Sequence, residues 1–350
     1  MRVAVLTARY GSGHRIAARG VIDALEHFGV EYHLMDMVDE GGAVERISSA
    51  IYEYLMRRGH TLWSLLYDSR LLASGPMRRI YALLMRRLAE ELKEISPDAV
   101  VSTHFLTSLA AVMYGRRAFT VITDFSVHPL WVWEGTDRYY VASERTAEEP
   151  ILRGKDVRIT GIPLRKGFWE PMAKDRARAE LGYPQSSKVV LLSAGSYASV
   201  KVEPLLRILK REGAFVVLLA GRRESAYRRF KRLLSEEGIG GVVYPFVDFV
   251  PKIMAASDLF ITKAGGVSVA EALAVGLPML FLDNMPGQEE MNARIVEEEG
   301  AGINARTVER ASEILPSLLG DEGRLGRMRE SAKRLGRPKA ALSVVEDMLR

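Results

Sequence analysis

Five short stretches hold the residues best suited to chemistry. Gly11-Ser12-Gly13-His14 places an imidazole directly behind a pair of glycines. Glycines let a backbone come close to a ligand, and an imidazole that titrates near neutral pH can take a proton from a hydroxyl. The same His14 could equally cap a helix or pack. Thr123-Asp124 leads to His128-Pro129-Leu130-Trp131. Asp124 and His128 could orient a hydroxyl or exchange its proton, and Trp131 could wall an acceptor. A turn Asp, a surface His and a core aromatic explain the same residues. Thr262-Lys263-Ala264-Gly265-Gly266-Val267-Ser268 runs on to Glu271. Paired glycines ahead of a helix expose N–H groups at the positive end of its dipole, which makes a phosphate cradle. The Glu271 carboxylate could accept from two ribose hydroxyls, or simply complement the dipole. Gln288, Glu289 and Asn292 crowd hydroxyl-binding groups into one run, as a sugar site or an ordinary polar loop would. Ala194-Gly195-Ser196-Tyr197-Ala198-Ser199 could lend backbone N–H groups to a diphosphate.

Several chemistries are excluded by what these stretches lack. There is no cysteine, which removes disulfides, thiolate metal sites and thiol catalysis. The dinucleotide fingerprint G-x-G-x-x-G fails because Ile16 stands where the third glycine belongs, and no G-x-x-x-x-G-K-[ST] string occurs. No D-x-D pair and no metal-ligand spacing is found. A departing diphosphate would then be neutralised by helix ends and backbone N–H groups, with help from Lys263 or Arg165. No metal or cofactor is expected.

The elements that must carry these loops alternate along the chain. Apolar runs at Val3–Leu6, Tyr32–Met35, Ala99–Ser102, Thr120–Thr123 and Tyr139–Val141 precede a second set. That set is Val189–Leu192, Val216–Leu219, Val242–Tyr244, Leu259–Thr262 and Met279–Leu282. Continuous apolar strands with helices between them predict parallel sheets, so the class is α/β with two doubly wound units of about five strands each. Helices are expected from Arg15 to Phe28, closed by Gly29, and from about Val267 or Ser268. Gly161-Ile162-Pro163-Leu164-Arg165 reads as the linker. Ligands in such sheets lie beyond the carboxyl ends of the strands, where the five stretches fall.

The chain has 350 residues, 48% of them hydrophobic and 27% charged, enough for a core in each half. Its longest uncharged apolar stretches, Phe105–Gly115 and Ala272–Leu282, are eleven residues long. A bilayer span needs about 20. The N-terminal apolar run reads as a buried strand, not a signal peptide, and a cytoplasmic protein is expected. The net charge is +5. Between Arg46 and Glu90, eight arginines meet only Glu53, Asp68 and Glu90. Such a patch could meet phosphates, anionic lipid or nucleic acid, or be a solvated helix face.

Together these pieces resemble the MGDG synthase and processive diacylglycerol glucosyltransferase family, relatives of MurG. The resemblance rests on Gly11-Ser12-Gly13-His14, Thr123-Asp124 with His128-Pro129 and Trp131, and Gly161-Ile162-Pro163. It continues in Thr262-Lys263-Ala264-Gly265-Gly266 with Glu271-Ala272, and Pro286-Gly287-Gln288-Glu289 with Asn292-Ala293. It implies the GT-B fold, two Rossmann-like domains facing a cleft. Residues 1–162 would hold the acceptor and face the membrane, residues 163–339 would bind the UDP-sugar, and a helix over 340–350 would pack back on the first domain.

The resemblance also implies an inverting transfer of a hexose from UDP-glucose or UDP-galactose to a lipid hydroxyl, that of diacylglycerol. His14 would be the base, with Asp124 as the next candidate, and Gly13, His128 and Trp131 would lie on the acceptor side. Gly195, Ser196, Gly265, Gly266, Val267 and Ser268 would hold the donor's phosphates and Glu271 its ribose. Phe246 and Val247 would meet the uracil, Gln288 and Glu289 the sugar. The segment 46–92 falls where the family touches an anionic membrane, at the inner face of the cell membrane. Ile47, Ile51, Tyr54 and Leu55, then Leu62, Trp63, Leu65 and Leu66, and then Met77, Ile80, Leu84 and Leu88 on one helix side, suit a surface-bound amphipathic region. No nucleic-acid partner is expected. A UDP-GlcNAc 2-epimerase, a MurG-like N-acetylglucosaminyl transfer to another lipid, and a sugar-nucleotide-binding regulator without turnover are the rival readings.

Overall fold

The computed structural model describes residues 1–8, 13–37, 72–193 and 202–350. The expected loop residues Gly11, Ser12, Gly195 and Ser196 lie outside the described residues, as do Ile47, Ile51, Tyr54, Leu55, Leu62, Trp63, Leu65 and Leu66.

The first lobe is built from β1 (Arg2–Thr7), α1 (Gly13–His27), β2 (Glu31–Asp36), α2 (Gly75–Ile95), β3 (Ala99–Ser102) and α3 (Phe105–Tyr114). It continues through β4 (Arg117–Val121), a 3-10 turn at Pro129–Trp131, β5 (Arg138–Val141), α4 (Glu144–Ala147) and β6 (Val157–Ile159). The second lobe holds α5 (Lys174–Leu181), β7 (Val189–Leu192), α6 (Glu203–Arg211), β8 (Phe215–Gly221), α7 (Glu224–Glu236), β9 (Gly241–Pro245), α8 (Val250–Ala256) and β10 (Leu259–Thr262). It ends with α9 (Gly266–Ala274), β11 (Met279–Leu282), α10 (Gln288–Glu298), β12 (Gly302–Arg306), α11 (Val308–Gly320) and α12 (Glu322–Leu335). A last helix, α13 (Ala340–Leu349), follows.

Each lobe has one parallel sheet, ordered β2-β1-β3-β4-β5-β6 and β12-β11-β10-β7-β8-β9. The central strands β3, β7, β10 and β11 are buried on both faces, which is why their sequences are unbroken apolar runs. The strand order reverses between β1 and β3 in the first sheet and between β7 and β10 in the second. Chains leave such points in opposite directions, which opens a crevice at the carboxyl ends. The sequence therefore brings His14 and the loop after Thr262 to the crevice by topology alone.

Three local expectations are corrected. Among the described residues each sheet has six strands, not about five. The additional β6 and β12 are edge strands whose mixed sequences, Val157-Arg158-Ile159 and Gly302-Ile303-Asn304-Ala305-Arg306, carry no apolar run. The strand expected over Thr120–Thr123 is Arg117–Val121, leaving Thr123 and Asp124 free to enter the crevice. In α2 the line Met77, Ile80, Leu84 and Leu88 is not one surface-facing side: Leu88 is buried, Met77 and Leu84 pack partly buried against the same cluster, and only Ile80 is exposed. Tyr81, Met85, Leu88, Ala89 and Leu92 pack on α3, while Ile80 and Leu83 are 49% and 71% exposed. The helix has apolar residues on two sides, and spacing alone does not choose between them. No helix among the described residues is long and apolar enough to cross a membrane.

The chain returns to the first lobe at its end. α13 lays Ala341, Val344, Val345 and Met348 into the cluster of Val3, Val5, Val21 and Leu25. Asp347 accepts from Arg138 Nη1 at 2.7 Å and from the Tyr140 hydroxyl at 2.9 Å. Gly161, at φ +88°, lets the linker pass under this segment, since a Cβ there would lie 2.5 Å from Arg337 Cβ. Replacing Asp347 by Ala takes one of two carboxylate partners from the half-buried Arg138, which keeps Asp156, and leaves the buried Tyr140 hydroxyl without its acceptor. It should lower unfolding free energy by about 1–3 kcal/mol in chemical denaturation; Asp347→Asn, which keeps an acceptor oxygen, should lose less.

Candidate active site

His14 stands in the first turn of α1, at the β1–β3 switch point. Its Nδ1 lies 2.8 Å from the Thr103 carbonyl oxygen and 3.1 Å from Thr123 Oγ1. A carbonyl only accepts, so Nδ1 carries the proton and the free lone pair is on Nε2. The half-buried ring is packed by His104, at 4.7 Å between centroids, and by Trp131, at 6.0 Å. Burial lowers its pKa to about 4, although the Thr103 carbonyl opposes the shift. His14 is therefore uncharged at neutral pH, as a base must be.

Asp124 follows β4 and is buried. Its carboxylate accepts from Asn292 Nδ2 at 3.3 Å and Gln288 Nε2 at 3.2 Å, both on α10 of the other lobe. Burial raises its pKa to about 6, opposed by the Asn292 bond and assisted by the nearby Glu289 charge. His128 uses Nδ1 to accept from the Leu130 N–H, capping the 3-10 turn. That turn buries Trp131, and Arg78 of α2 stacks on Trp133 at 4.7 Å. One arginine of the basic stretch is thus turned inward.

The second lobe meets these groups with the start of α9. Gly265 is the cap residue, and Gly266 opens the helix. A Cβ on Gly266 would lie 2.0 Å from the Thr123 carbonyl oxygen, so only glycine fits where the lobes touch. Val267 packs on Gly13, and Ser268 is half-buried beside it. Glu271 is buried and takes Arg165 Nη2 at 3.3 Å; burial raises its pKa against the pull of Arg165. Lys263 pairs with Asp283 at 3.1 Å. Glu289 accepts from the Met285 N–H at 2.6 Å. Phe246 is 55% exposed, with the Arg222 guanidinium over its ring at 4.0 Å, beside an open pocket of about 280 Å³ at the ends of β8 and β9. Val247 follows it, half-buried.

The structure therefore brings together His14, Gly13, Asp124, Trp131, Gly265, Gly266, Val267 and Gln288. Phe246 and Val247 stand apart, at the far edge of the second sheet. Glu271 and Glu289 are engaged with neighbouring groups of the protein. Sequence reasoning passed over the Thr103 carbonyl, the Thr123 hydroxyl and His104, although His104 stands at the end of β3 just as His14 follows β1. It counted Asn292 only among the hydroxyl-binding groups, not as a tie to Asp124. Yet Asn292 is one helical turn beyond Gln288, on the same face, and that spacing was available in the sequence.

Comparison with known proteins covers both lobes. Residues 14–164 match the monogalactosyldiacylglycerol (MGDG) synthase family model, and residues 198–337 match the glycosyltransferase family 28 C-terminal domain. The processive diacylglycerol beta-glucosyltransferase of Bacillus subtilis is 29% identical over 100% of this chain and 95% of its own. That of Bacillus licheniformis is 27% identical over 99% and 94%. Among solved structures, Acinetobacter baumannii MurG superposes with a TM-score of 0.65 at 17% identity, covering 99% of both chains. A UDP complex of S. aureus MnaA gives 0.67 at 15% identity, covering 99% of this chain and 95% of that one. These likenesses show the GT-B fold.

Gly266→Ala should hold the lobes apart. The radius of gyration from solution X-ray scattering should rise while the far-ultraviolet dichroism stays that of the wild type. An unchanged radius would mean that the lobes do not meet through this contact.

Proposed function

We propose a reaction from the premise that the chain belongs to the MGDG synthase family of glycosyltransferases: it moves a hexose from a UDP-hexose to the free hydroxyl of diacylglycerol, with inversion. Glucose is the preferred sugar, because the relatives similar over the whole chain are named glucosyltransferases. The observation that carries the reading is a neutral imidazole with its lone pair on Nε2, set in the same crevice as the glycine-led start of α9.

In this reading residues 1–162 hold the lipid, residues 163–339 hold the donor, and 340–350 belong with the first lobe. His14 Nε2 takes the proton of the lipid hydroxyl as its oxygen attacks the anomeric carbon. The bond from that carbon to the diphosphate breaks, and UDP leaves with the electron pair. Attack opposite the leaving group turns an α-linked donor into a β-linked product. The amides at Gly265, Gly266 and Ser268, at the positive end of α9, stabilise the growing charge on the diphosphate without need of a metal. Glu271 receives the ribose hydroxyls on the oxygen that Arg165 does not occupy. Gln288 and Glu289 meet the sugar, and Asp124 holds Gln288 in place. Phe246 and Val247 receive the uracil. Contact between the lobes keeps water from the donor.

Membrane contact is proposed for the exposed side of α2. Ile80 and Leu83 stand there with Arg79, Arg86 and Arg87, apolar residues among cations. Each cation near an anionic surface contributes about 1 kcal/mol. The enzyme would then work at the inner face of the cell membrane, drawing UDP-sugar from the cytoplasm.

Incubation with a panel of UDP-sugars and diacylglycerol, followed by mass spectrometry of the lipids, tests the reaction. UDP-glucose should yield hexosyl-diacylglycerol. His14→Ala should lower turnover by at least about 100-fold with UDP affinity by calorimetry little changed; near-normal turnover would rule out His14 as the base. Leu83→Ser should weaken sedimentation with phosphatidylglycerol vesicles without changing the fold, because the side chain is exposed. Equal sedimentation with neutral and anionic vesicles would count against this face.

A further inference from the structure

β3 enters α3 through Thr103 and His104. His104 is the capping residue of α3, with Nδ1 accepting from the Leu106 N–H at 3.2 Å. In a neutral ring this places the proton on Nε2. Helix caps are usually Ser, Thr, Asp or Asn, whose small side chains do the same work. A capping imidazole that is 1% exposed calls for another reason. Its ring meets His14 edge to face, with planes at 89°, and Phe105 packs on it at 4.3 Å. The residue before it, Thr103, provides the carbonyl that binds His14 Nδ1, and its hydroxyl donates to the His14 carbonyl at 3.0 Å. One junction thus governs the tautomer, the ring plane and the hydration of His14.

We propose that His104 is a positioning residue for the transfer: its ring fixes the plane of the His14 imidazole and displaces water from it, so that the Nε2 lone pair stays free and aimed at the acceptor hydroxyl. This rests on His14 as the base. His104 itself takes no proton from the lipid. Burial holds its own pKa well below the ordinary range, with repulsion from His14 adding to the shift. Among the described residues, the other titratable groups at this end of the crevice include Asp124 beyond β4, His128 ahead of the 3-10 turn, Arg15 on α1 with its partner Asp36, and Glu289 on α10. None of them is in ring contact with His14, so the pair of imidazoles is separable from them by substitution.

Two variants divide the roles of cap and ring. His104→Asn keeps an oxygen for the Leu106 N–H and removes the ring. His104→Phe keeps a ring and removes the cap. Nuclear magnetic resonance titration of ¹³C-labelled histidine in the full chain, without substrate, reads His14 directly. The wild-type midpoint should lie near 4. In the Asn variant water reaches the ring and the midpoint should rise toward 6.5; in the Phe variant it should stay low. The Asn variant should also lose on the order of tenfold in kcat, with KM for the UDP-sugar unchanged. A midpoint that stays put in the Asn variant, or rises equally in the Phe variant, overturns the proposal. If the Asn variant does not fold, the Phe variant decides: a low midpoint with kcat retained supports the role of the ring, and a raised midpoint overturns it. Because the titration needs no turnover, it is independent of the base assignment, which falls instead if His14→Ala remains active.

Discussion

The Asn292 carboxamide joins the two lobes, and the geometry of the crevice depends on it. Its oxygen accepts from the Phe125 N–H of the first lobe, while its nitrogen donates to the Ala264 carbonyl and the Asp124 carboxylate. The side chain is fully buried. A buried amide that loses a partner costs about 1–3 kcal/mol, so the Asp124 strand end, the Ala264 loop and α10 are held in one register. From that register follow the seating of Gly266 against Thr123 and of Val267 against Gly13. The helix N-terminus therefore comes to the imidazole as a consequence of a buried amide several residues away from either.

Burial then acts on His14 and Asp124 in opposite senses. Removing water disfavours the charged form of each, which lowers the proton affinity of the imidazole and raises that of the carboxyl. The same burial keeps the one neutral and lifts the other to about 6. Hydrogen bonds keep both shifts within bounds, through the Thr103 carbonyl for one and Asn292 for the other. The groups proposed to meet the donor are also paired already, Gln288 with Asp124 and Glu271 with Arg165. In the proposed reaction a donor bound there would exchange polar partners rather than bury bare ones, which would keep the desolvation cost of binding small.

The fold is largely legible in the sequence. Central strands buried on both faces must be apolar throughout, so β3, β7, β10 and β11 announced themselves. Edge strands lie half in water, and β6 and β12 carry arginine and asparagine that hid them. For α2, apolar residues occur on two sides of the helix, and the choice of core face depended on α3 being there to receive Met85 and Leu92. The site was readable in the same uneven way. Glycines and polar groups at strand ends pointed to the crevice, whereas His104 looked like one more residue at the start of an apolar helix.

By itself the sequence determined what is local: a parallel α/β class, glycine-led helix starts at the carboxyl ends of strands, and the residue types available there. Periodicity, chain stiffness and backbone hydrogen bonding act over a few residues, so a linear reading reaches them. Which groups finally meet was decided only by the tertiary structure. His14 and Thr103 are 89 residues apart, Arg165 and Glu271 106, and Asp124 and Asn292 168. Such bonds, and the proton affinities that burial imposes on their members, exist only once two sheets have wound, met and excluded the water between them.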